Sequence, residues 1–176
     1  MRLAAPRSRV FLPLFAGVFL SDCVSKRVAV DQLTPAYVPH DVLGDVVRFT
    51  LAYNERAAMG LSAGPWSRGI FATIAVVLLI GVAVWVLRTK SRDPKVFAGI
   101  ALVAAGALGN LIDRLRWDRG VVDFIDIGFG HARFWIFNLA DAAILVGAFS
   151  LWFSTRPRHD RRADGIDDAQ TAANPA

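Results

Sequence analysis

The sequence predicts an all-α membrane protein, a four-transmembrane-helix bundle with a small β-containing extracytoplasmic loop region. Three observations lead there. The 176 residues are 55% hydrophobic with a mean hydropathy of +0.42, high for a soluble domain of this size. Four apolar runs, about residues 10–30, 69–87, 96–112 and 134–153, each approach the ~20 residues that carry an α-helix across the hydrocarbon core. Between the first two runs, Val47, Phe49, Leu51 and Tyr53 alternate with Arg48, Thr50, Ala52 and Asn54, the period of a strand.

The elements follow in chain order. The first run opens behind Arg2, Arg7 and Arg9 and reaches Leu20-Ser21-Asp22-Cys23, which has the outline of a secretory or lipoprotein signal. Such a cleavage site needs a small uncharged residue before the cysteine, and Asp22 stands there; the apolar character resumes at Val28–Val30. A retained first helix is the expectation. Cys23 is the single cysteine, which excludes an intramolecular disulfide and a cysteine metal cluster. An outer loop, residues 31–68, holds the strand pattern, and the second run has almost no polar residue. The third run is short and bounded by charge; a second outer loop, residues 113–133, leads to the fourth. No internal repeat divides residues 1–155, which read as one four-helix domain. Residues 156–176 are polar and aperiodic, a disordered cytoplasmic tail.

Charge sets the expected orientation. Arg2, Arg7 and Arg9, then Arg88, Lys90, Arg92 and Lys95, then Arg156, Arg158, Arg161 and Arg162 fall in segments that four spans place on one side. The positive-inside rule makes that side cytoplasmic, with both termini in the cytoplasm. Arg48, Arg56, Arg68, Arg114, Arg116, Arg119 and Arg133 lie opposite, diluted over longer stretches. The net charge of +5 therefore reads as topology with membrane lipids as partners, and no basic domain with interleaved aromatics supports nucleic-acid binding.

The informative residues are polar ones in apolar surroundings. A carboxylate within a span costs roughly 2.5–3.5 kcal/mol on insertion scales, so its retention points to function or to a specific polar network. Asp22 and Lys26 share a helix face at i,i+4. Asn110, Asp113 and Arg114 do so at i, i+3 and i+4. Asn138 and Asp141 are three apart, with Asp141 about five residues, roughly 7 Å, inside the fourth span. Asp123 sits in the loop before it. All fall toward the outer end of the bundle. Each has a structural reading: Asp22–Lys26 as a stabilising pair, Arg114 and Arg116 as interfacial anchors, the amides as interhelical glue, Asp141 as glue or part of an ion path. A transporter or an inactive accessory protein stays open on these grounds. Two acids at one depth among amides favour a carboxylate active site at the membrane surface. His40, His131 and His159 are scattered without ligand spacing, so no metal is expected. Ser25 and Lys26 are adjacent, about 100° apart on a helix, and form no nucleophile motif.

Five segments carry a resemblance: Asp22-Cys23-Val24-Ser25-Lys26, Asn54-Glu55-Arg56-Ala57-Ala58, Gly109-Asn110-Leu111-Ile112-Asp113-Arg114, Val121-Val122-Asp123-Phe124-Ile125 and Phe137-Asn138-Leu139-Ala140-Asp141. In this order they resemble the signature blocks of lipoprotein signal peptidase, the bacterial type II signal peptidase family, from about Val10 to Phe153. Arg56 stands where that family usually has glycine, and Met59 where it usually has an aromatic. The resemblance implies an inner-membrane aspartyl protease without cofactor. Such an enzyme removes the signal peptide from diacylglyceryl-modified prolipoproteins just before the lipidated cysteine. It implies a catalytic dyad of Asp123 and Asp141, with Asn54, Asn110, Arg114 and Asn138 lining the substrate site. Asp22, Lys26 and Asp113 would support them, Asp113 salt-bridged to neighbouring Arg114. The expected molecule is a monomer with its active site toward the extracytoplasmic face.

Overall fold

The computed structural model describes residues 7–54, 64–130 and 132–154. A π-helical turn, Arg7–Phe11, runs into α1, Leu12–Gln32. Helix α2, Ser67–Arg88, follows a 3₁₀ turn at Gly64–Trp66. Helix α3 is Pro94–Arg116 and α4 is Leu139–Ser154. Asp93 caps α3, its carboxylate accepting the Lys95 N–H at 2.9 Å, and Pro94 takes the first position, where no N–H is needed.

Helix α3 is the hub and packs against each of the other three helices, most extensively α4. Ala101, Ala104, Ala105, Gly106 and Ala107 are buried along it, small residues that let helix backbones approach. A Cβ on Gly106 would stand 2.3 Å from the Ala140 carbonyl oxygen, so glycine sets the α3–α4 distance there. Helix α2 is different. No residue of its most apolar window is buried, and Ile70, Ile74, Val77, Ile80 and Leu87 lie bare. Such a surface suits lipid and not water. Among the described residues two helical segments, Gly64–Arg88 and Pro94–Arg116, are long and apolar enough to cross a membrane; α4 is apolar but shorter.

The strands are β1, Pro39–Leu43; β2, Val47–Asn54; β3, Val121–Phe129; and β4, Ala132–Arg133. They form a four-stranded antiparallel sheet in the order β1-β2-β3-β4. The alternation at 47–54 is thus a strand, although Thr50, Leu51 and Ala52 are buried in succession. A register shift between Phe49 and Ala52 breaks the two-sided pattern. Beyond it Ala52 pairs with Asp123 and Asn54 with Val121, which sets Asn54 diagonally beside Asp123.

The helix limits differ from the apolar runs in ways that matter for the site. Helix α3 continues through Arg116, so Asp113 and Arg114 are helical and not in a loop. The second outer loop contains β3, so Asp123 stands on a strand. Helix α4 begins at Leu139, five residues after the start of the fourth run, and Asp141 lies in its first turn, shallower than expected. The preceding residues run beside β3: the Phe134 N–H donates to the Ile127 carbonyl at 2.8 Å and the Phe137 N–H to the Ile125 carbonyl at 3.0 Å. Hydropathy cannot separate helix from strand in such a stretch. Phe134-Trp135-Ile136-Phe137 is aromatic and β-branched, and backbone partners on β3 decide the outcome. Arg56, Met59, His131 and the tail lie outside the described residues.

Candidate active site

The site is built in two tiers. In the lower one, Lys26 of α1 is buried among two carboxylates and an amide. Its Nζ lies 2.8 Å from Asp22 Oδ2 and 2.9 Å from Asp113 Oδ2, and donates to Asn110 Oδ1 at 2.9 Å. Two carboxylates and one amide oxygen thus surround the ammonium within 3 Å, the pairing under which a buried cation is tolerable. The carboxylates reach further. Asp22 accepts the Ala140 N–H at 2.9 Å and Asp113 accepts the Val122 N–H at 3.2 Å. One cation thereby joins α1 and α3 to the start of α4 and to β3. The cation 2.9 Å from Asp113 is Lys26, where the sequence suggested Arg114.

The upper tier holds Asp123 and Asp141. Asn138 precedes α4 and caps it: its Oδ1 accepts the Asp141 N–H at 2.9 Å. Asp141 Oδ2 faces back toward the Asn138 N–H at 3.4 Å, so the three-residue spacing is that of a capping box. The Asn138 amide nitrogen donates to Asp123 Oδ1 at 2.7 Å, with Asn110 Oδ1 at 3.1 Å and the Val122 carbonyl at 3.2 Å. Two hydrogens serve three acceptors there, so one is shared. Asn138 therefore spans the two acids, holding one carboxylate and the backbone of the other. Asn54 donates to Asp123 Oδ2 at 3.0 Å, and Asn110 donates to Asp141 Oδ1 at 2.7 Å.

Asp123 is 2% exposed. Burial, and then the charge of Asp141, push its carboxyl up to about 7, against the opposing pull of the Asn54 and Asn138 hydrogen bonds and of Lys26. Asp141 is only half-buried. It opens onto an apolar groove of about 370 Å³ walled by Phe134, Trp135, Phe137, Ala142 and Leu145.

Arg114 stands at the rim. Its Nη1 donates to the Asn110 carbonyl at 3.1 Å, and its guanidinium lies 5.9 Å from the Phe71 ring of α2. Arg68 anchors this corner, donating to the Arg114 carbonyl at 2.6 Å and pairing with Asp118 at 2.6 Å. Asp22, Lys26, Asn54, Asn110, Asp113, Arg114, Asp123, Asn138 and Asp141 thus gather at one end of the bundle. Sequence reasoning named Arg68 and Arg133 only for charge and did not place them, or Asp126, beside the site. The one available signal was a second acid three residues after Asp123 in a strand-like segment.

The helices, with a small sheet at one end and an acidic site between, define the class as a membrane enzyme. Two solved structures of a bacterial membrane enzyme have the same fold, each with a TM-score of 0.72 and 28% sequence identity. One alignment covers 81% of this chain and 85% of the other; the second covers 84% and 92%. The family model for signal peptidase (SPase) II matches residues 14–156, and the chain belongs to that family. It is accordingly a hydrolase, a protease of lipoprotein processing. It is similar to the lipoprotein signal peptidase of Coxiella burnetii, 41% identical over 137 residues that cover 76% of this chain and 82% of the relative. The lipoprotein signal peptidase of Pseudomonas aeruginosa is also 41% identical over 137 residues, covering 76% and 80%.

Proposed function

We propose that this protein is an aspartyl endopeptidase with Asp123 and Asp141 as its dyad. It removes the signal peptide from diacylglyceryl-modified prolipoproteins just before the lipidated cysteine. The observation that carries the reading is the shared amide: Asn138 binds the Asp123 carboxylate and caps the helix turn bearing Asp141. Two acids held this way, with Asp123 shifted up to about 7, divide the roles of acid and base.

Asp141 is the base. It stands in the first turn of α4 and accepts the Asn110 N–H. It takes a proton from water, and the water oxygen bonds to the scissile carbonyl carbon. Asp123 gives its proton to the carbonyl oxygen, which yields a tetrahedral diol. On collapse Asp123 recovers a proton from one hydroxyl, Asp141 passes its proton to the leaving nitrogen, and the C–N bond breaks. The dyad returns to its starting state. Asn54, Asn110, Asn138 and Arg114 line the substrate side; Asp22, Lys26 and Asp113 hold them in place.

The same reading sets the protein in the bacterial inner membrane as a monomer with four spans, α1 to α4. Both termini are cytoplasmic, and the sheet and dyad lie at the extracytoplasmic face. The test is a gel-shift assay of the purified protein with a diacylglyceryl-modified prolipoprotein. Cleavage that survives a chelator and vanishes in Asp123→Asn and in Asp141→Asn is expected. Activity retained in either variant would move the chemistry to another acid, Asp113 first.

A further inference from the structure

A second polar cluster, apart from the dyad and the Lys26 network, stands at the outer edge of the sheet. Asp126, buried on β3, accepts two N–H groups of Arg133 on one oxygen, Nε at 3.0 Å and Nη2 at 2.8 Å, and the Thr50 hydroxyl on the other at 3.1 Å. Arg133 Nη2 also donates to the Asp126 carbonyl at 3.2 Å, and its Nη1 donates to the Asp45 carbonyl in the β1–β2 turn. The Asp45 carboxylate in turn accepts the Gly130 N–H at 3.0 Å. One guanidinium therefore ties β3, β4 and the β1–β2 turn together. The approach is close: a Cβ on Gly128 would lie 2.6 Å from the Ala132 carbonyl oxygen and 2.7 Å from Arg133 Cα.

The chain leaves Arg133 directly for Phe134, Trp135 and Phe137. These residues hang from β3 by the Phe134 and Phe137 backbone bonds and form the aromatic wall of the groove beside Asp141. Among the described residues no dyad hydrogen bond passes through Arg133 or Asp126; Asn54, Asn110 and Asn138 donate to the two acids. We propose that Arg133 and Asp126 are a positioning pair for the reaction, a latch that sets the Phe134–Trp135–Phe137 wall against the groove into which Asp141 opens. The latch acts on substrate fit and leaves proton transfer at the dyad alone. This rests on the proposed function only in taking cleavage as its readout.

The experiment is steady-state cleavage of a diacylglyceryl-modified prolipoprotein by the full-length protein in lipid, with Arg133→Gln, Asp126→Asn, the double variant and Arg133→Lys. Each single variant removes one partner of a part-buried charged pair, and a rise in KM of about tenfold is expected, with kcat within about twofold and the pH profile unmoved. The double variant is expected to match the singles, since both remove one device, and Arg133→Lys, which keeps the charge but loses the planar fork, to recover part of the loss. A fall in kcat with KM unchanged, a displaced pH profile, additive losses in the double variant, or wild-type kinetics throughout would each overturn the proposal. Wild-type cleavage abolished by the dyad substitutions tests the enzyme reading separately, so failure of the latch and failure of the dyad are distinguishable.

Discussion

Lys26 Nζ stands 2.9 Å from Asn110 Oδ1, and this bond decides which way the Asn110 amide faces. An ammonium can only donate, so the amide oxygen must turn toward it and the amide nitrogen toward Asp141, 2.7 Å away. A residue on α1 thereby determines that an acid on α4 meets a hydrogen-bond donor. The buried ion cluster does more than hold helices together; it orients the amide layer on which the proposed dyad rests.

Lys26→Met should be strongly destabilising, because Asp22 and Asp113 would remain buried without their cation. Loss of one member of a buried ion pair costs about 3–5 kcal/mol. A thermal melt in detergent should show a large fall in midpoint. A midpoint within a degree or two of wild type would mean that the cluster is not the strut described here.

Gly106→Ala should also destabilise, for a different reason. Its Cβ would meet the Ala140 backbone oxygen at 2.3 Å, and a carbonyl at the start of α4 cannot step aside as a side-chain end can. Overpacking of this kind costs about 1–3 kcal/mol. The same melt measures it. Cleavage should fall as well, since α4 carries Asp141.

The pH dependence follows from Asp123. Its ordinary value is 3.8 and in the folded protein it lies at about 7, so the folded state holds the extra proton between those limits. Its contribution to stability is complete below the lower value and is lost as pH rises through about 7. Wild type should therefore lose more of its melting temperature between pH 5 and pH 8 than Asp123→Asn, whose amide does not titrate. An equal loss in both would remove Asp123 as the source.

Activity should share that limb. If Asp123 must donate a proton, kcat/KM declines above about pH 7, and Asn54→Ala should move the decline to higher pH. Asn54 donates to the ionised carboxylate, so its removal favours the protonated form and extends the acid's working range. A limb shifted to lower pH, or not shifted at all, would contradict this role of Asn54.

Topology can be read with single cysteines in a Cys23→Ser background. A cysteine at Val42, exposed on β1, should react with an impermeant maleimide in spheroplasts; one at Ser91, between α2 and α3, should react only after lysis. Reversed labelling would invert the proposed orientation.

Much of this site was legible in the chain because cost marks it. Asp22, Lys26, Asn110, Asp113, Asn138 and Asp141 stand out against apolar neighbours, and their spacings of three and four place them on common helix faces. The strand at 47–54 was legible by alternation. Asp126–Arg133 was not, because those residues lie seven apart across a strand and a turn that hydropathy does not reveal. The start of α4 was misjudged for a related reason. Phe134–Phe137 is as apolar as a helix in lipid, and only hydrogen bonds to Ile125 and Ile127 hold it extended.

By itself, then, the sequence determined the helical class and the outer sheet's first long strand and marked the candidate site residues, since burial cost, periodicity and spacing are local properties, while the order of its motifs pointed to the family. Tertiary structure alone decided which partner each polar group takes. Asp113 lies against Lys26 of α1 although Arg114 adjoins it in sequence, and Asn54 reaches Asp123 across a shifted register. Partner choice in a buried network depends on where separate elements bring donors and acceptors within about 3 Å with usable geometry, and that is a property of packing that no spacing along one chain segment encodes.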